Sequence, residues 1–368
     1  MNRRTLLPLS VLLIGVAAGQ WAHGQTSIEE LIEQTGVGEG PVAARDFPGW
    51  RKPKKIVMWD MTGLYDEVKG KLPGIELVLA RTESEMIANA DGADAILAWC
   101  SERLLEAASD ATWIQVFQAG VERCLTVERV RNGDVMLTNM QKMSSPVIAE
   151  HVTAMVLALS RGLIGFSKSM DGGEWLRGSD IVAGMQSYGG KTVLIAGLGG
   201  IGTEAARRLA ALGMRIIGTR RSSREGPDFV DYVGLSHELH ELAAQADFIV
   251  NALPITAETE GLFDAKFFSA AKRGAHFINV GRGKTVVTAD LVAALKSGQI
   301  AGAALDVTDP EPLPADHPLW QMDNVIITPH VSSRGGNRIR HIALAAENVR
   351  RFVAGDALLN VVDPDLGY

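Results

Sequence analysis

The sequence predicts an α/β protein of two doubly wound domains, each built on a parallel sheet. Three observations carry this. Short apolar runs recur at Ile56 to Trp59, Ile75 to Leu79, Ala95 to Trp99 and Trp113 to Phe117, and again at Val193 to Ala196, Met214 to Gly218, Phe248 to Ala252, His276 to Val280, Ala301 to Val307 and Val325 to Thr328. Helical or turn segments separate them, the pattern of βαβ units and not of hairpins. From Lys191 to Leu212 a strand, a glycine turn and a helix follow one another, a unit with its own sequence signature. The chain has 368 residues, a length that predicts two domains.

Composition narrows the function classes before any motif is read. Hydrophobic residues make up 46% and the net charge is −7, which fits a globular enzyme and gives no broad basic face for nucleic acid. The sequence has no internal repeat, no low-complexity tract and no Cys/His cluster with metal spacing. No metal is expected. Cys100 and Cys124 make no disulfide framework, and their apolar neighbours predict two small buried thiols, with a single bridge as the alternative.

At the N-terminus, Asn2-Arg3-Arg4 precedes an apolar stretch from Leu6 to Ala18 that is too short to span a bilayer comfortably. Small residues at Ala22 and Gly24 bracket a cleavage before Gln25, so residues 1–24 read as a secretory signal. The order Asn-Arg-Arg-Thr-Leu-Leu resembles a twin-arginine signal. The expectation is a periplasmic protein without stable membrane association after cleavage; the alternatives are a misplaced start with a cytoplasmic chain, or an uncleaved membrane anchor. Residues 25–53, rich in Gly, Pro and charge, read as an extension packed outside the main fold or linking to it, with one amphipathic piece at Ser27 to Gln34.

The first domain, residues 54–149, holds the first four strands. Ligands of such sheets bind beyond the carboxyl ends of the strands. This places Trp99-Cys100-Ser101 and Gln118-Ala119-Gly120-Val121 at the mouth of a cleft. Trp99, Ala119 and Gly120 are the candidate substrate contacts, because N–H groups around a glycine can approach a carboxylate closely; an ordinary strand-end turn is the competing reading. Ser144 to Gly162, with Pro146 near its start and a long apolar face, predicts the helix linking the domains. His151 within it is expected to make a structural polar contact.

The glycine turn reads Gly197-Leu198-Gly199-Gly200-Ile201-Gly202, after which Thr203 to Leu212 has helical spacing. Gly197 permits a tight turn, Gly199 lets a dinucleotide pyrophosphate approach the backbone, and Gly202 lets the helix sit close to the strand. The free N–H groups of the helix start favour that anion. At the end of the next strand stand Thr219, Arg220, Arg221, Ser222, Ser223 and Arg224, with no carboxylate until Glu225. Guanidinium groups suit a ribose 2′-phosphate, so NADP(H) is favoured and NAD(H) is the alternative; a solvated basic turn is the bland reading.

Later strand ends supply the reactive side chains. Leu253-Pro254 follows one strand and Val280-Gly281-Arg282-Gly283 the next, both on the cofactor side. Arg282 between two glycines can make a bidentate contact with a carboxylate. Asp309-Pro310-Glu311-Pro312 and Pro329-His330 close the last two strands, and the prolines hold Glu311 and His330 in defined directions. A final amphipathic helix from Arg338 to Val353 returns to the first domain.

Gly-Leu-Gly-Gly-Ile-Gly at 197–202, Asn-Val-Gly-Arg-Gly at 279–283, Leu-Asp-Val-Thr-Asp-Pro-Glu-Pro-Leu-Pro at 305–314 and Thr-Pro-His-Val at 328–331 resemble, in order, the D-isomer-specific 2-hydroxyacid dehydrogenase family. The resemblance covers about residues 54–360 and is nearest to the glyoxylate/hydroxypyruvate reductase branch. It implies a Rossmann NAD(P)-binding domain, 150–332, inserted into a flavodoxin-like substrate domain, 54–149 plus 333–368. It further implies His330 as general acid/base, Glu311 as its partner, Arg282 as anchor of the substrate carboxylate and carbonyl, Asp306 on the nicotinamide carboxamide, and Val280 with Leu253-Pro254 lining the cofactor. The substrate would be a small 2-keto or D-2-hydroxy acid, and the assembly a homodimer.

The chemistry requires these residue types. Hydride arriving at a keto acid puts negative charge on the carbonyl oxygen, so a protonated imidazole must donate while a fixed cation holds that oxygen. A carboxylate beside His330 favours the imidazolium. Two departures stand out: Glu122 where the family often has Asp, and Ser332-Ser333-Arg334-Gly335-Gly336 after the histidine, where Arg334 either reaches the cleft or faces solvent. The alternatives are a non-catalytic nucleotide-sensing module and a phosphite- or formate-type dehydrogenase of the same fold.

Overall fold

The computed structural model describes residues 27–367 apart from Thr62 and Asn337. The expected signal, residues 1–24, lies outside the described residues.

The first elements are a helix, Ile28–Thr35, capped by the Ser27 hydroxyl, and strand β1, Glu39–Ala43. Here the structure corrects an expectation. This segment does not pack outside the main fold: Leu31, Val37 and Ala44 are buried in one cluster with Leu344, Val349 and Phe352 of the C-terminal helix Arg338–Ala354. Strand β1 pairs antiparallel with the last strand, Ala357–Leu359. Its partner lies at the other end of the chain, where no local pattern could reveal it.

The first sheet contains β2 (Lys55–Trp59), β3 (Glu76–Ala80), β4 (Ala95–Ala98), β5 (Trp113–Val116) and β6 (Met136–Thr138), in the order β3-β2-β4-β5-β6. Every pairing is parallel. Strand order reverses at β2 and β4, and that is where an open sheet leaves a crevice at its carboxyl edge. Strand β6 is not among the expected runs, because its three residues, Met-Leu-Thr, carry too little periodicity to read.

The second sheet contains β7 (Thr192–Ala196), β8 (Arg215–Arg220), β9 (Tyr232–Leu235), β10 (Phe248–Asn251), β11 (Ala275–Asn279), β12 (Ile300–Leu305) and β13 (Val325–Ile327), in the order β13-β12-β11-β10-β7-β8-β9. All of its pairings are parallel too. The reversal falls between β7 and β10, beside the glycine turn. Strands β7, β10 and β11 are almost continuously apolar, as strands covered on both faces must be. The fold is therefore two parallel α/β units, as the alternation of runs predicts.

The linker helix spans Ser145–Ser160 with Pro146 in its first turn, a position where the missing N–H costs nothing. Ala149, Val152, Met155 and Val156 pack into the nucleotide-side core with Val193 and Ile195. No single helix among the described residues is long and apolar enough to cross a membrane.

The cysteines do not behave as expected. Cys100 and Cys124 are joined by a disulfide, not left as separate buried thiols. Cys100 follows β4 and Cys124 follows β5, which are neighbours in the sheet, so their exits lie side by side although 24 residues separate them. Closing a loop of that size contributes roughly 3 kcal/mol in the chain-entropy account, and it ties together the two segments that carry Trp99 and Gly120.

Candidate active site

The candidate residues stand at strand exits along the carboxyl edges of the two sheets. On the nucleotide side, Gly197 has φ of +93°, which permits the tight turn, and a Cβ on Gly202 would lie 2.0 Å from the Gly197 carbonyl oxygen. Only a residue without a side chain lets the helix Gly200–Ala211 start so close to β7. That helix begins three residues earlier than its spacing predicts, since glycines carry no apolar signal. A Cβ on Gly199 would meet nothing within 4 Å, so the turn is open to a ligand there.

Several of the residues expected at the cofactor turn their side chains into the protein. Leu198 is 3% exposed and packs under β8, where a Cβ on Gly218 would meet it at 2.7 Å. The Thr219 hydroxyl accepts the Gly197 N–H at 3.3 Å, holding the glycine turn itself. Ile201 and Val280 also pack against the core. At the end of β8, Arg224 is committed to Glu238 at 2.6 Å and to the Tyr232 hydroxyl, and Glu238 is held at about 2 chiefly by its hydrogen bond from Arg224. Arg220 differs. Its Nε is buried with no hydrogen-bond partner among the described residues, the condition in which an anion would relieve a desolvated donor. Arg221 and Ser222 are exposed beside it.

Arg282 leaves β11 on a turn fixed from below. Buried Asn279 receives the Gly281 N–H at 3.0 Å, Thr285 donates to the Arg282 carbonyl at 2.6 Å, and Asn251 donates to both Asn279 and Thr285. Two flanking glycines are pinned as well. A Cβ on Gly281 would lie 2.6 Å from the Leu253 carbonyl oxygen, and one on Gly283 only 1.8 Å from that of Thr308. The Leu253-Pro254 turn and the exit of β12 therefore grip the arginine loop from both sides.

The guanidinium crosses to the other domain. Arg282 Nε donates to Glu122 Oε1 at 2.7 Å, Nη1 donates to the Gly281 carbonyl at 2.9 Å, and Nη2 lies where a Cβ on Gly120 would sit, 2.2 Å away. Gly120 and Arg282 are thus brought together as candidates of one site. The Ala119-Gly120 turn is itself held by Asn139, whose amide donates to the Ala119 carbonyl at 2.8 Å. Trp99 stands at the neighbouring exit, half-buried, its ring edge-to-face with Trp59 at 4.9 Å.

Glu311 and His330 leave the next two strands. His330 Nδ1 and Glu311 Oε1 are 2.6 Å apart, with both side chains partly open to solvent at 51% and 42%. The His330 backbone has φ of +54°, a left-handed conformation that costs a non-glycine residue energy. Asp306 holds it. Its backbone carbonyl accepts the His330 N–H at 2.8 Å, and its carboxylate accepts from Thr328 Oγ1 at 2.6 Å, from the Val331 N–H at 2.9 Å and from the Ser332 N–H at 3.0 Å. Burial pushes the Asp306 carboxyl up, but the hydrogen bonds from Ser332, Thr328 and Val331 outweigh it and hold it below the usual carboxylate range. At 2% exposure this side chain organises the histidine loop, whereas the resemblance implies a carboxamide contact. His151 Nε2 lies 3.1 Å from Thr328 Oγ1 and completes the support. Arg334 is exposed.

Sequence reasoning missed Asn139, Asn251 and Asn279 as supports, together with the two-domain contact of Glu122. The asparagines leave one readable signal, each standing at or just beyond the last residue of a strand. Among the described residues no group of His, Cys, Asp and Glu is placed to hold a metal ion.

A protein-family model for the NAD-binding domain of D-isomer specific 2-hydroxyacid dehydrogenases matches residues 153–332. The chain is 35% identical over 264 residues to the glyoxylate reductase/hydroxypyruvate reductase of Homo sapiens, covering 70% of this chain and 79% of that one. A D-isomer specific 2-hydroxyacid dehydrogenase from Xanthobacter autotrophicus Py2, solved with NADPH and MES, superposes with a TM-score of 0.74 at 30% identity, over 86% of this chain and all of that one. An NADPH-dependent glyoxylate/hydroxypyruvate reductase from Sinorhizobium meliloti, solved with NADP and sulfate, gives 0.72 at 29% identity, over 85% and 99%. With its arginine, glutamate and histidine leaving three consecutive strands beside a dinucleotide turn, the chain belongs to the D-isomer specific 2-hydroxyacid dehydrogenases, nicotinamide-dependent oxidoreductases acting on CH–OH groups.

Proposed function

We propose that this enzyme interconverts a small 2-keto acid of the glyoxylate or hydroxypyruvate type and its D-2-hydroxy acid, with NADP(H) as the cofactor. The observation that carries the reading is the Arg282 guanidinium, fixed at Nε and Nη1 and presenting Nη2 at Gly120, on the same sheet edge as the Glu311–His330 pair. When bound, the reduced nicotinamide supplies a hydride to the carbonyl carbon. Arg282 holds the substrate carboxylate and carbonyl oxygen, and the N–H groups at Ala119 and Gly120 take the other side of the carboxylate. With Nδ1 committed to Glu311, Nε2 of His330 is the nitrogen that gives the proton to the oxygen. NADPH oxidation with glyoxylate, hydroxypyruvate and phenylpyruvate tests this. Absence of turnover with all three would sink the substrate class and favour a phosphite- or formate-type donor.

The preference for NADP(H) is supported by the orphaned Nε of Arg220 and by the solved relatives that carry NADPH or NADP. Arg220→Asp should move the ratio of kcat/KM for NADPH over NADH at least tenfold toward NADH, because a carboxylate suits a ribose hydroxyl and repels a phosphate. An unchanged ratio in steady-state assays would remove Arg220 from cofactor recognition.

We also infer an exported homodimer. The Cys100–Cys124 bond supports an oxidising compartment. Leu163 at 53% exposure, Met170 at 78% and Trp175 at 91% form an open apolar segment after the linker helix that a second copy would cover. Native mass spectrometry of the periplasmic fraction should find a dimer lacking residues 1–24. A monomer would refute the second inference, and a chain retaining Met1 in the cytosol the first.

A further inference from the structure

Gly200 opens the helix whose N–H groups face the pyrophosphate in the reading above. The three atoms nearest to a Cβ on this glycine lie outside its own domain. Such a Cβ would meet the linker: Ser145 Oγ at 2.7 Å, Lys142 Cγ at 2.9 Å and Lys142 Cβ at 3.4 Å. The missing side chain therefore lets a lysine and a serine from the substrate-domain side lie against the phosphate turn.

Both residues have the character of an incomplete anion site. Lys142 is half-buried, and its ammonium donates to the Gly36 carbonyl at the end of the helix Ile28–Thr35, with no carboxylate in ion-pair distance among the described residues. Burial lowers its pKa, as expected of a cation withdrawn from water without a counter-ion. Its backbone is left-handed, with φ of +71°, which a lysine adopts only where its surroundings enforce it. Ser145 is 4% exposed, and its hydroxyl has no hydrogen-bond partner among the described residues. The unpartnered hydroxyl of this serine lies at a helix N-terminus beside the stem of a lysine without a counter-ion, a pair of groups suited to a phosphate oxygen.

We propose that Lys142 and Ser145 bind the pyrophosphate of the dinucleotide from the substrate-domain side, closing it against the backbone of Gly200 and Ile201. The proposal rests on the dinucleotide reading and deepens it, since it makes the linker a second wall of the phosphate site. The Lys142 stem already lies on Gly200, and binding in this way takes its ammonium from Gly36 to the turn.

Isothermal titration of the mature protein with NADPH, and with adenosine 2′-monophosphate as a probe that lacks the pyrophosphate, tests this without reference to turnover. Lys142→Met should raise the Kd for NADPH about tenfold or more, the usual effect of losing one charge-assisted hydrogen bond. Ser145→Ala should raise it several-fold, Lys142→Arg should restore most of the affinity, and the Kd for adenosine 2′-monophosphate should not move. The salt dependence of NADPH binding should also flatten in Lys142→Met. If Lys142 merely caps the helix Ile28–Thr35, Lys142→Met will lower the melting temperature and leave NADPH affinity within about twofold; that result, or wild-type affinity in Ser145→Ala and Lys142→Met together, overturns the proposal. A wild-type protein that binds neither NADPH nor NADH overturns the dinucleotide reading itself, and the proposal with it.

Discussion

His330→Ala should lower kcat for keto-acid reduction by about 10²- to 10⁴-fold while the Kd for NADPH and the melting temperature stay near their wild-type values. The structure separates these quantities. The imidazole is about half exposed and its side-chain partner Glu311 is 42% exposed, so the pair contributes at most about 1 kcal/mol to folding. What the variant loses, in the proposed reaction, is the proton donor. The loop that presents it is held by Asp306 through backbone and Thr328 contacts that do not involve the ring. Glu311→Gln should fall between the two, because an amide still orients Nδ1 but no longer balances an imidazolium. Stopped-flow reduction under single-turnover conditions reads the chemical step directly. A variant at position 330 that turns over at the wild-type rate would end the acid/base assignment.

The parts of this site that were legible in the sequence share a physical cause. Gly197 to Gly202, Gly281-Arg282-Gly283, Glu311 and Pro329-His330 all stand where an apolar run breaks, and in a parallel sheet those breaks fall on one edge. Local chemistry therefore predicted position. The illegible parts depend on which exits become neighbours. Glu122 meets Arg282 across the two domains, and Cys100 meets Cys124 because β4 and β5 are adjacent. Lys142 and Ser145 meet Gly200 only because the linker helix docks on the nucleotide-side core. Strand β9 shows the same limit in the fold. Tyr232–Leu235 is an edge strand with an exposed tyrosine and a glycine, too short and too polar to announce itself, yet it is paired by β8.

Gly120→Ala should reduce kcat/KM for the keto acid by about 10²-fold without unfolding the protein, and this contrast bears on the arrangement of the whole site. The added methyl would stand 2.2 Å from Arg282 Nη2 and 2.6 Å from a Glu122 carboxylate oxygen. Both are the far ends of flexible side chains, so the backbone need not yield. The Gly120 φ is not in the left-handed region either, so alanine incurs no conformational penalty there. The guanidinium must move instead, and a displacement near 1 Å of a substrate-positioning cation typically costs about 10²-fold in rate. Because Arg282 is separately tethered through Gly281 and Glu122, the displaced group cannot simply swing back to its former place. Arg282→Lys should be similarly impaired, since a point charge does not reproduce the fork that spans two domains. The deciding measurements are steady-state kinetics with the keto acid, titration with NADPH and a thermal melt. An alanine variant with wild-type kcat/KM would show that Gly120 and Arg282 do not share a substrate. Loss of NADPH affinity in the same variant would shift the role of this contact from substrate anchoring to domain closure around the cofactor.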